Sequence, residues 1–285
     1  MHWQTSRYLI DLSRPKVMGI VNVTPDSFSD GGRYARTHSA LALCEKLLLE
    51  GAHILDIGGE SSRPGTLPVL VEEELTRVMP VLRDAVTLGV PVSVDTYKPE
   101  VMRRALDLGV DIVNDIWALR QPGAREQVAA HPMCGVCLMH MHGEPQTMQR
   151  FPVQGDAVPQ VADFLQQASR ALRELGVDAA RIAWDPGIGF GKTVEQNFAL
   201  LARQQELLAA GYPLVVGWSR KSSLGAVTGL PVNERLAPSI AAALLAVERG
   251  AHVVRVHDVK ETLAALKVGN AMLAVANNRG MESNA

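Results

Sequence analysis

The stretch LVVGWSRKSSLG, Leu214–Gly225, contains the structural unit that decides the fold. It begins with a short apolar run, Leu214–Val216, which is typical of a buried parallel strand. The run ends at Gly217, and a polar segment with two cations and three hydroxyl groups then leads into a helix-like segment. Such groups at the end of a buried strand and before a helix favour an anion-binding site. On this stretch alone, a solvated turn with ordinary surface Lys and Arg is an equally good interpretation.

The same strand–loop–helix unit occurs along the whole chain. The eight predicted strands are Val17–Asn22, His53–Gly58, Pro91–Asp95, Asp111–Ile116, Gly135–His140, Arg181–Asp185, Leu214–Trp218 and His252–His257. The helical patterns include Ser39–Glu50, Val71–Leu88, Pro99–Leu108, Ala124–Ala130, Val158–Leu175, a helix ending near Ala210, Asn233–Arg249 and Val259–Ala276. Eight such units predict an α/β fold, a (β/α)8 TIM barrel, with an open doubly wound sheet as the alternative. Residues 1–14 predict a short N-terminal hairpin or arm, and the lack of linkers and repeats predicts a single domain over residues 1–285.

Composition limits the class of protein. The 285 residues are 47% apolar and 20% charged, as in a soluble globular enzyme, and the net charge of −2 gives no field that attracts nucleic acid or a membrane surface. Three cysteines, an odd number, argue against a disulfide framework and for a reducing compartment. The N-terminus lacks a basic start with an apolar core, and no apolar run approaches the roughly 20 residues that span a bilayer. We therefore expect a cytoplasmic protein without a signal peptide.

Polar residues lie at or just after the carboxyl end of every predicted strand. They are Asn22, Asp56, Asp95, Asn114 with Asp115, His140, Asp185, Lys221, and Arg255 with His257. In a barrel of this type the catalytic loops lie at this end, and alternation along a strand puts Arg255 and His257 on one face. A single buried Asp is most often a structural hydrogen-bonding group, but a polar group at the end of each strand predicts a ligand site.

The residue types at this rim indicate the ligand. Inward carboxylates and an amide at Asp95, Asn114 and Asp185 suit a flat heterocycle with amino and ring N–H donors. Lys221 can donate to a ring carbonyl or nitrogen from the other side. Arg255 and His257, together with the Ser/Arg loops and an amide oxygen of Asn22 for Mg²⁺, suit a phosphorylated tail. One pocket with a heterocycle end and a phosphate end is therefore expected.

Together these segments are similar to the dihydropteroate synthase family of pterin-binding enzymes, from Val17 to Leu273. The resemblance is carried by MGIVNVTPDSFSDGG, DIGGESSRPG, SVDTYKPEV, NDI, LMHMHGEP, DPGIGFGKT, GWSRKSSLG and RVHDVKET. It implies a (β/α)8 barrel, Mg²⁺, a homodimer and sensitivity of the family to sulfonamides. The implied reaction joins 4-aminobenzoate to 6-hydroxymethyl-7,8-dihydropterin diphosphate and releases diphosphate.

The resemblance also implies roles for individual residues. The implied pterin site consists of Asp95, Asn114, Met139, Asp185 and Lys221. The implied diphosphate site consists of Asn22, which also binds Mg²⁺, Ser62, Arg63, Arg255 and His257, with Asp56 orienting the groups beside the metal. The implied 4-aminobenzoate site consists of Phe28, Pro64, Phe190, Ser219, Ser222 and the stem of Lys221. The implied catalytic residues are Asp56, Lys221, Arg255 and His257. Their implied task is to position the substrates and to neutralise the charge of the leaving group. Ser62 departs from the family, in which Thr is more usual, but it retains the hydroxyl.

Two further motifs point elsewhere and are set aside. Cys134-x-x-Cys137 with His140 and His142 is similar to a zinc ligand set, yet the odd spacing of Cys137 and His140 in a strand puts them on opposite faces. The segment from Gly187 to Thr193, GIGFGKT, resembles a phosphate-binding loop that lacks its first glycine. Neither motif predicts zinc binding or nucleotide hydrolysis.

Two other functions stay open from the sequence. A methyltetrahydrofolate-dependent corrinoid methyltransferase would share the pterin pocket but would not need the anion-facing Arg63 and Arg255. A non-catalytic pterin-binding paralogue is expected to have lost residues of the diphosphate site, and none of them is missing here.

Overall fold

The core of the structure is an eight-stranded parallel barrel. The computed structural model describes residues 1–24, 33–63 and 65–282. The barrel strands are β3 Lys16–Asn22, β4 Ile54–Gly58, β5 Val92–Asp95, β6 Ile112–Asp115, β7 Gly135–Met139, β8 Ile182–Asp185, β9 Val215–Val216 and β10 Val253–Val256. They are hydrogen-bonded in the order β8-β7-β6-β5-β4-β3-β10-β9, and the Trp184 amide donates to the Pro213 carbonyl at 2.8 Å beside a parallel bridge to Leu214. This last contact joins β8 to the chain entering β9, so the predicted barrel is confirmed.

Helices surround the barrel. They are α1 Arg33–Leu49, α2 Val71–Ala85, α3 Pro99–Asp107, α4 Ala124–Ala130, α5 Ala157–Glu174, α6 Val194–Ala202, α7 Gln205–Leu208, α8 Ser222–Thr228, α9 Leu236–Glu248 and α10 Val259–Glu282. Their apolar faces pack on the outward-facing strand residues, of which Val17, Leu55 and Val94 are fully buried. Among the described residues no helix has the length and apolar content needed to cross a membrane.

The N-terminal hairpin closes the bottom of the barrel. Its strands, β1 His2–Gln4 and β2 Leu9–Asp11, pair in antiparallel register, as expected. Trp3 is fully buried, and its indole N–H donates to the Arg181 carbonyl at 2.9 Å. The side chains that fill the lower barrel belong to one cluster with the hairpin: Trp3, Ile10, Leu12, Met18, Ile54, Ile112, Cys137, Ala183, Val215 and Val253. Because the lower half is filled with apolar side chains, a ligand can enter only from the upper end.

One predicted helix is divided in two. The sequence predicts a continuous helix ending near Ala210, but α6 ends at Ala202 and α7 begins at Gln205. Gln204 lies at the break, buried, and donates to the Ala246 carbonyl of α9 at 2.8 Å. The bond to the neighbouring helix compensates for the interruption.

Candidate active site

The upper half of the barrel carries polar side chains in register. Parallel pairing aligns Asn22 with Gly58, Gly58 with Asp95 and Asp95 with Asn114, so these residues are neighbours across four adjacent strands near their carboxyl ends. Met18 lies four residues before Asn22 and Ile112 lies two residues before Asn114, both in the apolar cluster of the lower barrel, and side chains an even number of residues apart in a strand share a face. The sequence pattern therefore places these polar side chains above the apolar cluster of the lower barrel.

These side chains line a cavity of about 300 Å³ at the carboxyl end of the barrel. Thirteen of the residues singled out from the sequence lie on its wall: Asn22, Ser62, Arg63, Asp95, Asn114, Met139, Asp185, Phe190, Ser219, Lys221, Ser222, Arg255 and His257. Phe28 and Pro64 lie outside the described residues. The cavity is also lined by Arg220, one of the two cations of the polar segment after β9, and by residues not expected from the sequence: Ile20, Ile116, Met148, Ile188, Val232 and Arg235. Ile20 and Ile116 were detectable, because each is two residues from an inward-facing asparagine in the same strand or its extension.

Arg255 organises the floor of the cavity. Its Nε donates to Asp56 Oδ2 at 2.6 Å, and its Nη2 donates to Asp95 Oδ2 at 2.7 Å. Asn114 Nδ2 donates to the same Asp56 oxygen at 3.2 Å. Asp56 is fully buried, and burial raises the pKa of Asp95 while Arg255 opposes that rise. The carboxylate of Asp95 is partly exposed to the cavity, and the guanidinium of Arg255 partly balances its charge.

The position of Asp56 differs from the one expected from the sequence. From the sequence it is expected to orient groups on the metal side of the site. Its observed partners are Arg255 and Asn114, both at the end of the cavity that suits a heterocycle. Asp56 is not on the cavity wall and reaches a ligand only through the side chains that it holds.

Lys221 and Phe190 form the side of the cavity opposite Asp95 and Asn114. The ammonium group of Lys221 lies 4.2 Å from the centre of the Phe190 ring, a cation–π contact. Burial lowers the pKa of Lys221 to about 8, and the nearby carboxylate of Asp185 opposes that decrease. Asp185 is held by the Gly187 amide, which donates to its Oδ1 at 2.7 Å. A lysine, a carboxylate and an aromatic ring thus meet where the chain leaves β8 and β9.

His257 is set up as a neutral hydrogen-bonding group. Its Nδ1 lies 2.9 Å from Ser219 Oγ, and its own backbone amide donates to the same oxygen at 3.2 Å. Ser219 Oγ can donate its proton to Nδ1 while it accepts from the amide, and in this arrangement the N–H of His257 lies on Nε2. Burial, with the nearby cations Arg220 and Arg255, lowers the pKa of His257 to about 3. Without a bound anion, His257 therefore contributes a neutral donor and no positive charge.

The loop that contains Ser62 and Arg63 is anchored from behind. Glu60 accepts from Tyr97 Oη at 2.9 Å and forms an ion pair with the buried Lys98, which also pairs with Glu74. Arg63 is exposed on the cavity rim. The ion pairs fix the chain entering the loop, while the hydroxyl and guanidinium groups stay accessible to an anion.

His140 was expected at the same rim, and this expectation is wrong. Met139 faces the cavity, so the next residue points outward, and the imidazole of His140 packs edge-on to Phe164 with ring centres 5.0 Å apart. Burial lowers the pKa of His140 to about 2. Asp115 likewise points away, and its two oxygens accept the amides of Trp117 and Leu119.

Within residues 1–24, 33–63 and 65–282, no three His, Cys, Asp or Glu side chains come together as a metal site. Asn22, on the cavity wall, nevertheless fits Mg²⁺, because this ion keeps several waters and takes few protein oxygens when substrate phosphates supply the others.

Comparison with known proteins gives one consistent result. Residues 18–257 match the family described as pterin binding enzyme. The chain is 51% identical to dihydropteroate synthase of Neisseria meningitidis serogroup B, covering 95% of this chain and 97% of that protein. The crystal structure of Burkholderia cenocepacia dihydropteroate synthase complexed with 7,8-dihydropteroate is 50% identical, has a TM-score of 0.89 and covers 97% of this chain and 98% of that one. The structure of Xanthomonas albilineans dihydropteroate synthase with 4-aminobenzoic acid has 46% sequence identity and a TM-score of 0.90. The match covers 96% of this chain and 99% of that one.

Proposed function

The chain belongs to the dihydropteroate synthases, pterin-binding transferases of folate biosynthesis, and from this premise we propose how its cavity is divided between the substrates. The reaction condenses 6-hydroxymethyl-7,8-dihydropterin diphosphate with 4-aminobenzoate to give 7,8-dihydropteroate and diphosphate. The observation that carries the proposal is the asymmetry of the cavity. Paired carboxylates and an amide lie at its floor, whereas donors of an anion site lie at its rim.

The pterin ring binds at the floor. Asp95, Asn114 and Asp185 offer acceptors to the amino and ring N–H groups, and Lys221 donates from the opposite side. Met139 gives an apolar contact. Arg255 uses Nε and Nη2 in its ion pairs, so its role is to hold Asp56 and Asp95 in place and to meet the ligand with the rest of the guanidinium. This modifies the expectation that Arg255 acts mainly on diphosphate.

The diphosphate binds at the rim, among Asn22, Ser62, Arg63 and His257. Arg63 supplies charge, and the Nε2–H of His257 donates to a phosphate oxygen. The side-chain oxygen of Asn22 would hold Mg²⁺, which supplies neutralising charge when bound. An anion at this position also raises the pKa of His257, because it favours the protonated imidazole.

The second substrate, 4-aminobenzoate, binds in the outer cavity between Phe190 and the stem of Lys221. Ser219 and Ser222 offer hydroxyl groups to its carboxylate, and Phe28 and Pro64 are proposed to complete this site. The enzyme thereby holds the amine of one substrate in line with the exocyclic carbon of the other. Positioning and charge neutralisation then suffice, and no nucleophilic side chain is needed.

The assignment of floor and rim is tested by calorimetry with two ligands and two variants. In Asp185→Asn, one acceptor becomes a donor, so binding of a pterin without the diphosphate tail is expected to weaken by about tenfold or more. Arg63→Gln is expected to bind this pterin as the unchanged protein does and to lose affinity for diphosphate with Mg²⁺. If Arg63→Gln weakens the tail-free pterin and Asp185→Asn does not, the assignment is reversed.

We also propose a single-domain, cytoplasmic homodimer. The three cysteines are free and buried, as suits a reducing compartment. Apolar side chains are exposed along α9 and α10, with Val268 70% and Met272 55% exposed. Val268→Glu is expected to shift the mass in sedimentation equilibrium from dimer to monomer; an unchanged mass excludes this face.

A further inference from the structure

Lys192 is the cation of the GIGFGKT segment, and neither substrate site uses it. Its side chain does not point toward the cavity. The ammonium group is buried, with the residue only 2% exposed, and it donates to the carbonyl oxygens of Gly187 at 2.8 Å, Phe190 at 3.0 Å and His140 at 3.3 Å. An ammonium has three N–H donors, so three carbonyl acceptors satisfy it completely.

The three carbonyl groups belong to two segments that Lys192 ties together. Gly187 and Phe190 lie in the loop after β8, and His140 lies directly after β7. The two segments are in close contact, since a Cβ on Gly187 would lie 1.8 Å from the His140 carbonyl oxygen and one on Gly191 would lie 2.3 Å from that of His142. Carbonyl oxygens that converge in a buried place repel one another unless a donor lies between them, and the ammonium is that donor.

The backbone of Lys192 is itself held by the following helix. Thr193 is the N-cap of α6, and its side chain and that of Gln196 form a reciprocal capping box. Gln196 also donates to the Val153 carbonyl at 2.7 Å. The side chain of Lys192 therefore extends from a fixed backbone position to the three carbonyl groups. The length of this side chain sets the distance between the start of α6 and the loop after β8.

The loop held in this way carries the aromatic wall of the outer cavity. Phe190 stands 4.2 Å from the ammonium of Lys221, and a Cβ on Gly189 would lie 3.3 Å from Lys221 Cδ. Because both contacts are close, even a small shift of this loop changes the space between the Phe190 ring and the Lys221 stem. Burial lowers the pKa of Lys192 to about 7, because the buried ammonium group loses its hydration, and the carboxylate of Asp185 opposes this decrease.

We propose that Lys192 is a positioning residue of the outer cavity: its ammonium group holds residues 186–191 against the chain leaving β7 and so fixes Phe190 beside Lys221. The functional part of this inference rests on the assignment of Phe190 to the 4-aminobenzoate site made above. The lysine touches neither substrate and acts through the loop.

The first test compares Lys192→Met with Lys260→Met, a matched change at an exposed position of α10. Methionine reproduces the unbranched side chain as far as the lysine Cε and has no N–H donor. Lys192→Met is expected to raise the KM for 4-aminobenzoate by about tenfold or more while the KM for the pterin diphosphate changes by less than about threefold. Hydrogen exchange of the peptide over residues 186–192 is expected to accelerate. Lys260→Met is expected to leave all three quantities unchanged.

The second test restores the missing group. Lys192→Ala lacks the three carbons and the ammonium that propylammonium contains, so this ion is expected to lower the KM for 4-aminobenzoate and slow the exchange of the loop again. Tetramethylammonium has the same charge without N–H donors and is expected to do neither. If Lys192→Met fails to fold, Lys192→Ala purified in propylammonium and then dialysed gives the same comparison.

The outcomes separate this inference from the assignment on which it rests. Unchanged exchange of residues 186–192 in both Lys192 variants overturns the inference. It is also overturned if Phe190→Ala raises the KM for 4-aminobenzoate and Lys192→Met does not, or if both substrates lose affinity equally and propylammonium has no effect. If neither Phe190→Ala nor Lys192→Met changes that KM, the proposed aminobenzoate site is wrong, and the proposed role of Lys192 in the outer cavity is overturned with it.

Discussion

Arg255→Met should affect both the stability and the activity of the protein. The guanidinium of Arg255 bonds to Asp56, which is fully buried, and to Asp95. Removing one partner of a buried ion pair leaves an uncompensated charge, which costs about 3–5 kcal/mol. We therefore expect the free energy of unfolding to fall by about that amount.

The same change should reduce kcat/KM. Asp95 loses its hydrogen-bonded partner, and the pterin loses a correctly oriented acceptor. The loss of charge-assisted contacts at the transition state is worth about 2–4 kcal/mol, or roughly 30- to 900-fold in rate. The assay follows diphosphate release at saturating 4-aminobenzoate, at a temperature at which the variant is folded by circular dichroism.

Two controls isolate the ion pair. Arg103→Met removes an exposed arginine whose partners, Glu100 and Asp107, lie on the surface of α3, and its effect on stability should be far smaller than that of Arg255→Met. The double variant Arg255→Met with Asp56→Asn removes both charges and should recover part of the stability lost in the single variant. If Arg255→Met is as stable as Arg103→Met, the ion pair of Arg255 does not stabilise the fold. If the double variant is less stable than Arg255→Met by the full cost of Asp56→Asn, the two side chains are not coupled.

Three further predictions concern other parts of the site. His257, with its pKa lowered to about 3 by burial, is expected to keep one N–H in nitrogen-15 NMR spectra between about pH 5.5 and 8, whereas titration near the ordinary value of 6.5 would contradict this. Because the unfolded chain binds that proton and the folded one does not, this residue lowers stability as the pH falls below about 6.5. Gly187→Ala is expected to be less stable than Gly155→Ala by about 1–3 kcal/mol in urea unfolding, since both have positive φ but only the former meets a carbonyl, and equal stabilities would remove the proposed close approach. A sulfonamide is expected to bind in calorimetry only when diphosphate and Mg²⁺ occupy the rim, and equal affinity for the empty protein would show a preformed pocket.

The sequence was sufficient to predict thirteen of the residues that line the cavity. Alternation along each strand correctly separates inward from outward side chains, as for Asp95 and Asp185, and the repeated strand–helix unit fixes the end at which they meet. The same rule, applied strictly, would have excluded His140, because it follows the inward-facing Met139. Phe28 and Pro64 lie outside the described residues and stay predictions.

Contacts between distant parts of the chain were beyond such reasoning. Arg255 and Asp95 are 160 residues apart in sequence, and only the closure of the barrel brings them together. The three acceptors of Lys192 are backbone carbonyl groups, which leave no trace in residue identity, so its phosphate-loop appearance was misleading. The break between α6 and α7 depends in the same way on the bond from Gln204 to another helix.

The central claim is that the floor of the cavity binds the heterocycle and the rim binds the diphosphate. The most direct measurement is a crystal structure of this protein with 6-hydroxymethyl-7,8-dihydropterin, diphosphate and Mg²⁺. Ring N–H groups are expected within about 3 Å of Asp95 and Asp185, with diphosphate oxygens on Asn22, Arg63 and His257. A ring bound among the rim residues, with diphosphate on the two carboxylates' side of the cavity, would contradict this claim.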